Sequence, residues 1–155
     1  AYAFARVDGK VNPEERKKFE QIIKLGFKQR DYDYDVSDII FKICSAPKVY
    51  YNLQSKSIFQ LLTESGYLEQ PNTITKEILT VYLTENPDLI PAWEMYSSDK
   101  RYSPAWYFQQ EKSDWVVGYF SGASQERKII FQSKFEACAE FILHELKEFL
   151  KTKNR

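Results

Sequence analysis

The last third of the chain constrains the fold most. Ser133 and Glu136 stand three residues apart, the spacing of a capping box in which each side chain satisfies a free backbone N–H at a helix start. Behind them Phe135, Cys138, Ile142, Leu146 and Phe149 fall on one helical face, with Phe141 and Leu150 beside it. Just upstream lie three short runs rich in aromatic and β-branched residues, at 105–110, 114–120 and 127–131, separated by polar or Gly-containing turns. They read as a three-stranded antiparallel meander. A ribbon of this kind is not stable uncovered, so the helix is expected to lie over one of its faces. Gly118, inside the middle run, marks a bulge or a close backbone approach.

The residues before 105 carry helical periodicity instead. Asn12, Pro13 and Glu15 form a helix start, followed by Phe19, Ile22, Ile23 and Leu25, with Gly26 as the stop. A short apolar helix is expected over 36–45, capped by Asp35 or Ser37 and halted by Pro47, which has no N–H to donate. Another is expected over 56–65, capped by Ser55 and ended at Gly66, with Ile58, Phe59, Leu61 and Leu62 inward. Thr75 caps a helix over 76–84, and Ile74 and Leu79 are spaced as a hydrophobic staple. Pro91 opens a last short helix bearing Trp93, Met95 and Tyr96. No linker, repeat or low-complexity stretch divides the chain. The expectation is one α+β domain over 1–155, with a helical part at about 1–100 and the meander plus a long C-terminal amphipathic helix, packed on the sheet, at about 104–152.

Composition narrows the function classes. Aromatic residues make up 16% of the chain, too much apolar material for a disordered polymer even with 28% charged residues. The 22 basic and 22 acidic residues cancel, which argues against direct nucleic-acid binding. Lysines and arginines at 17–30 and 147–155 read as solvated helix faces. Cys44 and Cys138 each sit in an apolar helical pattern and read as buried thiols rather than a secreted disulfide framework. No run approaches the ~18 apolar residues needed to span a membrane, and no signal-peptide pattern opens the chain, so a cytoplasmic location is expected.

Catalytic patterns are missing. His144 is the single histidine, and it falls with Glu136, Glu140, Lys147 and Lys151 on the polar face of the last helix, where it is expected to be solvated. There is no C-x-x-C pair, no H-E-x-x-H and no phosphate-cradling glycine spacing. Asp8-Gly9-Lys10-Val11-Asn12 lacks the alternating acids of a calcium loop and reads as a turn. The expectation is a non-enzyme with no cofactor, no metal and no obligate small molecule.

The most unusual local composition is Asp31-Tyr32-Asp33-Tyr34-Asp35, extended by Asp38. Tyrosines are favoured interface anchors, because they bring large area and a polar tip at low entropy cost. Interleaved acids steer a basic partner and raise its association rate. Asp31, Tyr32, Asp33, Tyr34, Asp35 and Asp38 are therefore the candidate partner-binding residues. The other reading is a solvated loop whose acids cap the following helix. A second aromatic group, at Tyr96, Tyr102, Trp106, Tyr107, Trp115 and Tyr119, reads as core or as a stacking platform for single-stranded RNA.

Two resemblances follow from these residues. Trp106-Tyr107-Phe108, Trp115-Val116-Val117-Gly118-Tyr119, Ile129-Ile130-Phe131 and the helix Glu136-Ala137-Cys138-Ala139-Glu140-Phe141-Ile142 resemble the C-terminal half of small immunity proteins of bacterial polymorphic-toxin and contact-dependent-inhibition systems. That resemblance implies a protein partner, a toxin domain and commonly a nuclease, which the chain binds and blocks. Val7-Asp8-Gly9-Lys10-Val11-Asn12-Pro13-Glu14-Glu15 is similar to the helix start of TerB-like tellurite-resistance domains, where acidic positions are associated with metal. The alternatives to an immunity protein are thus a TerB-like stress-associated binding module and an RNA-binding module using the aromatic sheet.

Overall fold

The computed structural model describes residues 36–53, 55–99, 104–121 and 125–153. The helix expected at Asn12 lies outside them. Four helices come first: α1 (Val36–Leu53), α2 (Ile58–Glu64), α3 (Lys76–Glu85) and α4 (Ile90–Asp99). Single 3₁₀ turns at Tyr67–Glu69, Pro71–Thr73 and Pro87–Leu89 link them. The strands β1 (Ala105–Glu111), β2 (Asp114–Phe120) and β3 (Gln125–Phe131) follow, then α5 (Lys134–Lys153). The sheet is an antiparallel meander in the order β1-β2-β3, with α5 packed on it, and the fold is α+β.

Register decides what each sheet face does. Trp106 pairs with Tyr119, Phe108 with Val117, and Trp115 with Phe131. Alternation puts Trp106, Phe108, Trp115, Val117, Tyr119 and Phe131 on one face. All six join the hydrophobic core that α5 closes with Phe141, Ile142, Leu146 and Phe149. Phe141 stacks on Phe108 at 5.9 Å between ring centroids and meets Trp93 of α4 edge-on at 6.0 Å. Ser133 caps α5 as its spacing implied, its hydroxyl accepting from the Glu136 N–H at 3.3 Å.

The opposite face holds Tyr107, directly across from Gly118. A Cβ on Gly118 would lie 2.5 Å from the Tyr107 hydroxyl oxygen and 2.7 Å from its ring carbon. Gly118 also falls within the register shift between Val117 and Tyr119. The register shift fits the expected bulge, whereas the close approach is made by the Tyr107 side chain rather than by another backbone. The outer edge of β1 is covered differently: the Phe108 N–H, pointing away from β2, donates to the Ser97 hydroxyl of α4 at 2.6 Å.

Two helices depart from expectation. α1 does not stop before Pro47 but continues through it to Leu53. Pro47 deprives the Ile43 carbonyl of its helical donor, and such a residue costs about 3 kcal/mol in a helix interior. Tertiary packing overrides that cost. Ala46 and Pro47 are buried, Tyr50 packs on the core, and the neighbouring Cys44 carbonyl accepts the Trp93 indole N–H at 2.8 Å. Ser37, an expected cap, lies inside α1, and Asp35 is outside the described residues. In α2 the cap is Ser57 rather than Ser55, accepting from the Gln60 N–H at 3.1 Å. Ile58 and Leu62, one turn apart, form its buried line, so Phe59 swings out to 41% exposure and meets Phe149 by its edge. Thr75 caps α3, and the staple residues Ile74 and Leu79 are both buried.

Gly118→Ala should lower stability by about 1–3 kcal/mol, because the added methyl must displace a buried ring. Urea denaturation of the variant against the parent measures this, and an unchanged midpoint would refute the close approach.

Candidate functional site

Asp31, Tyr32, Asp33, Tyr34 and Asp35 lie outside the described residues. Asp38 lies in the first turn of α1, where a carboxylate complements the helix dipole. Its side chain is half exposed and stands 2.9 Å from Lys42 Nζ, one turn along. Its charge is therefore partly compensated on the same helix.

Lys42 also begins a groove of about 330 Å³ between α1 and α2. Phe41, Ala46, Val49 and Leu61 provide an apolar floor, and Lys42 and Glu64 are its charged lining residues. The Ser45 hydroxyl donates back to the Phe41 carbonyl, which takes its polarity out of the groove. Glu64 is held by Lys56 at 2.7 Å. Phe41, Ser45 and Val49 follow one another at four-residue spacing, a single ridge of α1. That ridge escapes a sequence reading that ends the helix at Pro47, because Val49 then belongs to a loop.

His144 is not solvated as expected. Its ring stacks on Trp106 with centroids 3.6 Å apart and planes 9° apart, and its side chain is 15% exposed. α5 sets Phe141 against Phe108, and one turn later the same face of the helix delivers His144 to Trp106. Nε2 stands 2.8 Å from Glu140 Oε2, off line for a hydrogen bond. Glu140 in turn lies 3.7 Å from Lys76, whose ammonium sits over the Phe131 ring. Burial holds the imidazole below its ordinary value and outweighs the upward pull of the Glu140 carboxylate, while Lys147 reinforces the lowering.

Cys44 and Cys138 are unpaired and wholly buried, and burial pushes both thiols far above their ordinary range. A thiolate nucleophile is not available from either. Among the described residues no three His, Cys, Asp or Glu side chains converge as metal ligands would. The aromatic meander is spent on packing: Trp106, Tyr107 and Phe108 are buried, while Trp115 and Tyr119 are half-buried against the core. No described helix is long and apolar enough to cross a membrane.

Comparison with models of known protein families, with curated proteins and with solved structures finds no match to this chain.

The lowered His144 value has a consequence for stability. The unfolded chain takes up a proton near pH ~6.5, whereas the folded chain accepts it only at lower pH. Unfolding is thus favoured as pH falls: the contribution of the neutral ring is whole above about pH 6.5 and is lost down through the folded value. The urea midpoint should drop more between about pH 7.5 and about pH 5.5 in the parent than in His144→Gln. Parallel pH profiles would show that the ring carries no such linkage.

Proposed function

We propose that the chain is a cytoplasmic bacterial immunity protein, performing no chemistry of its own, that binds and neutralises a partner toxin of the nuclease type. The observation that carries the reading is the position of the α1–α2 groove. It opens one turn beyond Asp38, the last acid of the segment Asp31-Tyr32-Asp33-Tyr34-Asp35, so an apolar seat directly follows an acidic, tyrosine-rich stretch of chain. An apolar strip on the toxin enters the groove, with Lys42 and Glu64 meeting charges beside it. Tyr32 and Tyr34 act as anchors, and Asp31, Asp33 and Asp35 steer the basic surface that a nuclease presents to its phosphate substrate. Asp38, already facing Lys42, contributes less to that field. The RNA-binding alternative is disfavoured by burial, since stacking on bases needs exposed rings and Trp106, Tyr107 and Phe108 have none to offer. For the TerB-like alternative the similar residues lie outside the described ones, and calorimetry with divalent ions separates it.

The test is co-purification with the protein encoded immediately upstream, followed by affinity measurement. Tyr32→Ala with Tyr34→Ala should weaken the complex by about 100-fold or more. Val49→Arg, at a half-buried groove position, should weaken it by about 10-fold or more while leaving the circular dichroism spectrum unchanged. Unaltered affinity in both variants would place the interface elsewhere. Failure of any upstream-encoded polypeptide to bind would remove the immunity reading itself.

A further inference from the structure

A second cleft lies where the end of α1, the start of α2 and the end of α4 meet. Tyr50 and Tyr51 of α1, Ser57 and Ile58 at the start of α2, and Tyr96 and Asp99 of α4 line a space of about 230 Å³. This is below the ~300–1,000 Å³ of pockets that enclose drug-sized ligands, and it suits a single side chain or head-group.

Its chemistry is one-sided. Three of the six described lining residues are tyrosines, and the single one of those six with a formal charge is the acid Asp99. Among the described residues, no lysine, arginine or histidine lines it. Tyr50 and Tyr51 meet edge to face, with centroids 5.1 Å apart and planes at 71°, so two walls stand nearly at right angles. Tyr96 is braced from behind by Trp93, edge-on at 6.0 Å and 82°. The Tyr51 hydroxyl donates to Asp99 Oδ2, which ties the last turn of α1 to that of α4 and holds the carboxylate at the cleft. Burial, helped by Asp99, pushes the Tyr51 hydroxyl well above its ordinary range, and burial with Glu145 does the same for Tyr96. Both rings therefore stay neutral and keep the electron-rich faces that attract cations.

We infer that this cleft binds an organic cation, the ammonium or guanidinium head of a small molecule or of a basic side chain, held by the rings of Tyr50, Tyr51 and Tyr96 and by the Asp99 carboxylate. An anion would face Asp99 with no cation among the described lining residues to offset it. A purely apolar group would cover that carboxylate and bring it no partner beyond the Tyr51 hydroxyl. A cation satisfies the carboxylate and the ring quadrupoles together, the arrangement by which aromatic cages select quaternary ammonium and guanidinium groups. The inference does not rest on the immunity reading, because the cleft shares no lining residue with the α1–α2 groove.

The test is a titration followed through the aromatic proton resonances of Tyr50, Tyr51 and Tyr96 in the full chain. Choline, N-acetyl-arginine amide and 3,3-dimethylbutan-1-ol, the neutral isostere of choline, are the three probes. A saturable shift is expected with at least one cation and none with the alcohol. Tighter binding of choline would identify a small-molecule head-group as the source, and tighter binding of the arginine amide a basic protein side chain. Asp99→Asn, which keeps an acceptor for Tyr51, should weaken the cation by about 10-fold. Tyr50→Leu, at a half-buried ring, should weaken it about 3-fold or more. Absence of saturation with both cations, or equal binding of choline and its isostere, would overturn the proposal. So would an Asp99→Asn variant that binds as the parent does.

Discussion

The structure depends on Trp93. Its indole N–H meets the Cys44 carbonyl of α1, its ring meets Phe141 of α5, and Phe141 lies against Phe108 of β1. One side chain thereby joins the first helix, the last helix and the sheet across almost the whole described sequence. Burying a ring of this size stabilises by roughly 1.5–3 kcal/mol, and leaving its N–H or the facing carbonyl unpaired would cost about 1–3 kcal/mol. The bond also explains why α1 survives Pro47. A helix that has lost one of its own hydrogen bonds at Pro47 gains an external one at the adjacent carbonyl. Without the turns beyond Pro47 there would be no Val49 in the groove and no Tyr50 or Tyr51 in the cleft.

Among the described residues, several opposite charges pair locally. Asp38 faces Lys42, Lys48 faces Asp88, Lys56 faces Glu64, and Glu111 faces Lys128. Exposed pairs like these contribute little stability, on the order of 0–1 kcal/mol each. Their effect is on the local field. In the groove Lys42 and Glu64 are each already tethered, by Asp38 and Lys56, so under the proposed reading an entering group would have to match both charges or separate them. Under that reading specificity would come from the cost of a mismatch more than from net attraction.

What was legible in the sequence and what was not divides by range. Ser133 and Thr75 cap their helices, Ile74 and Leu79 are both buried as a staple requires, Gly118 admits the Tyr107 ring, and the three strands pair in chain order. Each of these is decided by residues a few positions apart or by a single hairpin. Pro47 and His144 were misread because their fates are set by Trp93 and Trp106, which lie 46 and 38 positions away. Nothing local distinguishes a helix-ending proline from one that a distant indole rescues. Nor does anything local distinguish a solvated histidine from one that fills the space over a tryptophan. Ser57 displaced Ser55 for a smaller reason: Ser55 precedes Lys56, whereas Ser57 directly precedes Ile58, which is buried with Leu62 one turn on. Of the candidate interface residues, Asp38 alone falls within the described part, and its ion pair with Lys42 was open to a reading of helical spacing. The groove beside it was hidden by the same proline.

The two borders of the sheet are unlike. Ser97 occupies the amide of Phe108 on the β1 side, whereas on the β3 side Ile129 and Ile130 remain exposed and Arg127 takes a left-handed backbone conformation. A new strand could add along the β1 border only by displacing Ser97 from that amide. Strand-by-strand polymerisation needs two open borders on every molecule, one to receive and one to offer. A serine on a neighbouring helix thus stands at the β1 border of this aromatic-rich sheet, where a growing fibre would need a free strand.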